Sequence, residues 1–145
     1  LGNKIIQEVR PVVIREYRGY REEEILPLYE QVGWTSYTAR PAMLENAFRH
    51  SLKVLAAYEG EMLVGLIRVV GDGYSIVYIQ DILVLPDYQR KGIGAALLRR
   101  VLEDYRHVYQ KILMTDNTEK TVQFYTSAGF TPAPDIGCLS FLKIF

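Results

Sequence analysis

At 145 residues with 49% apolar side chains, the chain suffices for one compact domain around a single core. Lys plus Arg and Asp plus Glu number 17 each, and the resulting zero net charge excludes the basic excess of a nucleic-acid protein. One cysteine, Cys138, excludes an internal disulfide, and no apolar run approaches the ~20 residues of a membrane span. The opening Leu1-Gly2-Asn3-Lys4 has no apolar leader core, so a soluble, cytoplasmic protein without membrane or nucleic-acid partners is expected.

In chain order, Val12 to Tyr17 reads as a first strand, and Ile5 to Val9 could extend it or form a separate arm. Glu22 to Val32 is a helix with acidic residues in its first turn, where the helix dipole favours them. A loop from Gly33 to Thr38 leads to a second helix opened by Pro41 and running to about His50. Lys53 to Tyr58 and Met62 to Val70 form a hairpin about Glu59-Gly60-Glu61. After the turn Gly71-Asp72-Gly73 comes the long central strand, Ile76 to Leu85. Gly92 to Tyr109 is the major helix, with Leu97, Leu98, Val101, Leu102 and Tyr105 on one stripe. A short strand from Lys111 to Thr115, a helix from Glu119 to Ala128 ended by Gly129, and a last strand from Leu139 to Ile144 complete the chain. Strands early and alternating elements later predict an α/β (α+β) domain, residues 1–145, with a mixed sheet and helices on its faces.

The most informative stretch runs from Ile79 to Leu98: apolar strand, basic turn, two glycines, amphipathic helix. That order presents free backbone N–H groups at a helix N-terminus, where the dipole favours an anion and glycine lets it approach. Pro86 stops strand pairing, Gln89, Arg90 and Lys91 add polar and positive side chains, and Ala95 and Ala96 keep the first helical turn slim. Leu97 stands where a dinucleotide fingerprint needs its third glycine, and no Gly-Lys-Ser/Thr follows, so neither a Rossmann nor a Walker site fits.

Gln89-Arg90-Lys91-Gly92-Ile93-Gly94 resembles the Gln/Arg-x-x-Gly-x-Gly/Ala signature of the GNAT superfamily of acyl-CoA-dependent N-acetyltransferases. Downstream, Asn117 followed by Phe124-Tyr125 and Gly129-Phe130 is similar to that family's second signature. Together the two motifs cover roughly Ile79 to Phe130; the first forty or so residues carry no signature. The resemblance implies a mostly antiparallel central sheet of six or seven strands flanked by about four helices, acetyl-CoA as co-substrate, and no metal. It assigns Gln89, Arg90, Lys91, Gly92, Ile93, Gly94 and Ala95 to the coenzyme pyrophosphate. Leu83, Val84 and Leu85 fall to the pantetheine arm and Asn117 to the arm or a neighbouring backbone group. Asn117 is equally suited to cap the helix that follows it.

Tyr125 corresponds to the family's proton donor to the departing thiolate. A phenol near pKa 10 and a thiol near 8.5 make that transfer slightly uphill, so a hydrogen bond to the thiolate can suffice. Asp81 interrupts an apolar strand with a charge and therefore needs a partner, water or a shifted pKa. It suits a base or acceptor ligand for an amine that is otherwise protonated at neutral pH, and equally a structural hydrogen bond. Gln80 points to the opposite face and suits backbone groups. Tyr29, Trp34 and Tyr37 lie where the family builds its acceptor pocket, and they can equally bury against the sheet. Cys138 reads as core filling rather than an acyl carrier, and His50 and His107 have no metal spacing. The expected reaction is acetyl transfer to a primary amine, a small molecule before a protein, by direct attack in a ternary complex. A non-catalytic acyl-CoA-binding module and a protein N-acetyltransferase remain the alternatives, and the acceptor and any homodimer are open.

Overall fold

The structure, a computed structural model, describes residues 10–145. Contacts divide the chain into two compact units, the first running to Ile112 and the second spanning Leu113–Phe145. The expected arm at Ile5 to Val9 lies outside the described residues.

The core of the first unit is a sheet with strand order β1-β2-β3-β4-β5. Its strands are β1 (Val12–Glu16), β2 (Lys53–Glu59), β3 (Met62–Gly71), β4 (Ile76–Val84) and β5 (Gln110–Leu113). The first four form an antiparallel meander. Short turns join β2 to β3 and β3 to β4, with Gly60 turning the β2–β3 hairpin at φ 59, whereas β1 pairs with β2 across the long helical segment between Glu16 and Lys53. Interior residues of β2 and β3 are buried without a break from Val54 to Tyr58 and from Leu63 to Val69. Both faces of these strands are therefore covered, which is why their sequences are apolar runs rather than alternations.

Helix α1 (Glu22–Gln31) packs on β3 and β4, and α4 (Ile93–Asp104) packs on β2, β3 and β4. They take opposite faces: Tyr29 of α1 reaches Asp81, whereas Ile93 of α4 lies beside Gly65, whose cross-strand partner is Val84. Between α1 and the sheet stand α2 (Thr35–Thr38) and α3 (Pro41–Arg49) in sequence order. The second unit holds α5 (Glu119–Ser127) and a 3₁₀ turn, Ala133–Ile136.

Among the described residues, five strands and five α-helices stand where six or seven strands and about four helices are expected. The extra helix is α2, one turn within the predicted loop, closed by the N–H groups of Tyr37 and Ala39 on Trp34 and Thr35 carbonyls. Stacking of Trp34 on Tyr37, 6.0 Å between centroids, holds that turn. The major helix ends at Asp104 rather than Tyr109 because its continuation is bonded elsewhere. His107 Nε2 lies 3.1 Å from the Gly73 carbonyl, and the Tyr109 N–H donates to Tyr74 at 3.2 Å, which draws the chain into β5. The predicted last strand, Leu139 to Ile144, is irregular, since among the described residues nothing pairs with its backbone. Cys138 is exposed, not core filling.

Candidate active site

The turn after β4 is built to leave amides open. Beyond Val84 the Leu85 N–H still donates to Val64 at 2.8 Å, and Pro86, which has no N–H, then starts a 3₁₀ turn, Pro86–Tyr88. Gln89 folds back, its Nε2 donating to the Val84 carbonyl at 3.0 Å, so its side chain braces the strand end. Arg90 and Gly92 both adopt left-handed backbone, φ 64 and 82. For Arg90 this conformation costs about 1 kcal/mol, a strain that concentrates at functional turns. Gly92 is the N-cap of α4, and a Cβ built there would meet nothing within 4 Å, so space above the turn is open. The first turn of α4 donates inward only from Ala96, to Gly92 at 3.0 Å. Among the described residues, the N–H groups from Arg90 to Ala95 have no acceptor. Six successive open amides at the positive end of a twelve-residue helix form an anion site.

Leu83, Val84 and Leu85 form the strand end beside this turn. The start of β5 lies along the start of β4, with Tyr109 and Gln110 N–H groups on Tyr74 and Ser75 carbonyls. Having four residues to the nine of β4, β5 stops short, and the Val84 end has no strand on that side among the described residues. An unpaired backbone edge there can receive the amides of an extended ligand arm. Gly65 permits the geometry: a Cβ at that position would lie 2.8 Å from the Leu83 carbonyl oxygen.

Asp81 lies on the other face, at 1% exposure, and two neighbours bond its carboxylate. Arg68 sits directly across on β3, its Nε 2.7 Å from Oδ2, and the Tyr29 hydroxyl donates to the same oxygen at 2.7 Å. Arg68 is itself 4% exposed and reaches Ser51 Oγ at 3.3 Å through Nη1. Oδ1 of Asp81 is buried and, among the described residues, has no hydrogen-bond partner. The register slips between Arg68 and Val69, leaving Gln80 as an extra residue opposite β3. This bulge turns Gln80 to donate to the Tyr37 hydroxyl at 3.2 Å rather than to backbone groups. Burial first, then the Asp81 charge, pushes the phenols of Tyr29 and Tyr37 above their ordinary value, Tyr29 far above it. Around Tyr29 the rings of Trp34, Tyr37 and Phe48 pack edge-on at 6.0, 5.4 and 6.1 Å. Tyr29, Trp34, Tyr37 and Asp81 are therefore one group, with Tyr29 completely buried inside it.

In the second unit, Thr118 rather than Asn117 caps α5, its hydroxyl accepting from the Thr121 N–H at 3.3 Å. Asn117 is exposed and makes no side-chain hydrogen bond among the described residues. Tyr125 is buried, edge-on to Phe124 at 4.9 Å and to Phe130 at 6.0 Å. Gly129, at φ 96, ends the helix so that the Phe130 N–H returns to the Tyr125 carbonyl at 3.1 Å, which explains the Gly-Phe spacing after Phe-Tyr. Burial, then the Asp116 charge, raises the Tyr125 phenol, so it stays protonated past its usual range.

Sequence reasoning missed Arg68, Gly65 and Phe48. Arg68 carried a readable signal: it interrupts the apolar run of β3 as Asp81 interrupts β4, and opposite charges in adjacent buried strands must meet. Among the described residues no group of His, Cys, Asp and Glu could hold a metal ion, and no helix is long and apolar enough to cross a membrane.

The profile of the Acetyltransferase (GNAT) domain matches residues 19–137, a span that contains strands β2 to β5 and the open-amide turn. The chain belongs to the GNAT family of N-acetyltransferases. A GNAT-family acetyltransferase of Streptococcus pneumoniae TIGR4 superposes with TM-score 0.85 and 42% identity over 93% of this chain and 98% of that one. The histone acetyltransferase TAP1 of Glycine max is 28% identical over 77% of this chain and 52% of its own length. The PaiA N-acetyltransferase of Thermoplasma acidophilum, solved in complex with coenzyme A, shares the fold: TM-score 0.70, 17% identity, 83% of this chain and 90% of that chain.

Proposed function

We propose that this acetyltransferase moves the acetyl group of acetyl-CoA onto a primary amine of a small molecule. The row of open amides from Arg90 to Ala95 carries the reading, because it offers a pyrophosphate a ready set of donors on a helix N-terminus. Lys91 and Arg90 supply the positive charge, and Leu83 to Leu85 offer backbone to the pantetheine arm. Asn117 is assigned to that arm as well. The amine nitrogen attacks the thioester carbonyl carbon directly: a C–N bond forms, the C–S bond breaks, and the sulfur leaves as thiolate. Tyr125, kept neutral by burial, gives the thiolate its proton or a hydrogen bond. On the acceptor side, the N–H bond of the attacking amine breaks and its proton passes to Asp81 Oδ1, while Oδ2 stays with Arg68 and Tyr29. The ring group of Trp34 and Tyr37 supports an amine borne on an apolar or aromatic body.

A thiol-release assay over a panel of small amines and lysine peptides tests this. Small amines are expected to turn over faster; faster turnover on peptides would make the chain a protein acetyltransferase. Within that assay Tyr125→Phe should lower kcat by about 10²-fold with coenzyme affinity retained. Asp81→Asn should lower kcat at saturating coenzyme while coenzyme affinity is retained, and an unchanged kcat would hand proton removal to solvent.

A further inference from the structure

Glu59 closes β2 and Tyr88 closes the 3₁₀ turn that leads into the amide row, and the fold brings the two side chains together. The Tyr88 hydroxyl donates to Glu59 Oε1 at 3.0 Å. The Tyr88 N–H donates to the Leu85 carbonyl at 2.8 Å, so the half-buried ring is fixed both at its backbone and at its tip. The hydrogen bond to Glu59 first, then partial desolvation, raises the phenol above its ordinary value and keeps it a neutral donor. Arg90, in left-handed backbone at φ 64, then reverses the chain and returns Lys91 to the ring. The Lys91 Nζ lies 5.2 Å from the Tyr88 centroid, within the range of a cation–π contact.

Lys91 therefore has a ring for a neighbour rather than a carboxylate. Among the described residues no acidic side chain pairs with it, and Glu59 is engaged by the hydroxyl end of the same ring. A direct pair with Glu59 would cancel the lysine's charge; with the phenol bonding that carboxylate, the charge is kept for a ligand. Contact with a ring face takes up one side of an ammonium and leaves N–H donors for an anion. A lysine stem otherwise samples many rotamers, and holding it near its working position beforehand reduces what binding must order. Given the coenzyme reading of this turn, we propose that Tyr88, pinned by Glu59, is a positioning residue for coenzyme binding: its ring holds the Lys91 ammonium beside the open amides that receive the pyrophosphate.

Calorimetric titration with coenzyme A, run as a double-mutant cycle, tests this. Tyr88→Leu should raise Kd by about 2–5-fold, the worth of a cation over an exposed ring, and should have no effect once Lys91→Met is present. In the thiol-release assay the loss should fall on the KM for acetyl-CoA and not on kcat at saturation. Tyr88→Phe keeps the ring and drops the bond to Glu59, so it should fold where leucine disturbs the turn and should raise Kd by less, again only while Lys91 is present. An unchanged or lowered Kd in both variants overturns the proposal, the lowered value because it would mean that the ring competes with coenzyme for the lysine. The same rise with and without Lys91 also overturns it, since Tyr88 would then act on the shape of the turn. A parent chain that binds no coenzyme A would overturn the coenzyme reading itself together with this role, whereas binding with Tyr88 silent overturns the role alone.

Discussion

The two ends of β4 handle polarity in opposite ways. At Asp81 the strand carries a buried charge whose partners, Arg68 and Tyr29, are supplied by the protein at 2.7 Å each. Past Val84 the polar groups are backbone amides left open, with bare space above Gly92. The first arrangement is costly to break because water cannot replace a lost partner; the second tolerates change because water already serves it. Stability should therefore reside at Asp81 and ligand affinity at the turn.

The sharpest way to break that contrast is Arg68→Met. It strands the Asp81 carboxylate and should cost about 3–5 kcal/mol in urea unfolding. Adding Asp81→Leu should recover most of that loss, because a packed apolar pair replaces the ionic one; no recovery would mean that Arg68 acts through other contacts.

Tyr29→Phe removes one charge-assisted hydrogen bond and should cost about 1.5–3 kcal/mol at neutral pH. The same variant bears on alkaline stability. Burial and the Asp81 charge raise the Tyr29 phenol well above 10.0, so its contribution is whole below about pH 10 and is lost as pH rises toward the folded value. Urea midpoints compared at pH 8 and above pH 10 should fall less steeply for the variant than for the parent; equal slopes would place the titration elsewhere.

The smallest stability effect belongs to the turn. Gly92→Ala forces a left-handed alanine without a clash and should cost about 1 kcal/mol, measured by thermal unfolding. Calorimetry should nevertheless show weaker coenzyme A binding, because the amides on either side depend on that φ. A large loss of stability with unchanged affinity would reverse the contrast between the two ends.

Much of this was legible in the residues. Pro86, the glycine pair and the apolar stripe of α4 are local signals: a missing donor, a positive φ and a 3.6-residue period are properties of short segments. The same holds for Gly129-Phe130, whose spacing is that of a helix terminator. Asp81 was conspicuous as a charge in an apolar strand, though its partners were not. Arg68 stands thirteen positions away and Tyr29 fifty-two, and only strand register and the docking of α1 bring them to one oxygen.

The residues alone determined the β2–β3 hairpin, the start and apolar stripe of helix α4 and the glycine turn before it, since hairpin connections, periodicity and capping act over a few neighbouring positions. Tertiary structure decided what lies across a strand or against a face. The bulge at Gln80 turned its side chain to Tyr37, Gly65 yielded its side-chain volume to the Leu83 carbonyl, and the long predicted helix was cut at Asp104 by bonds from His107 and Tyr109. Among the described residues it left the backbone of Leu139 to Ile144 without a strand partner, because strand propensity is a preference for a pleated surface and supplies no partner of its own.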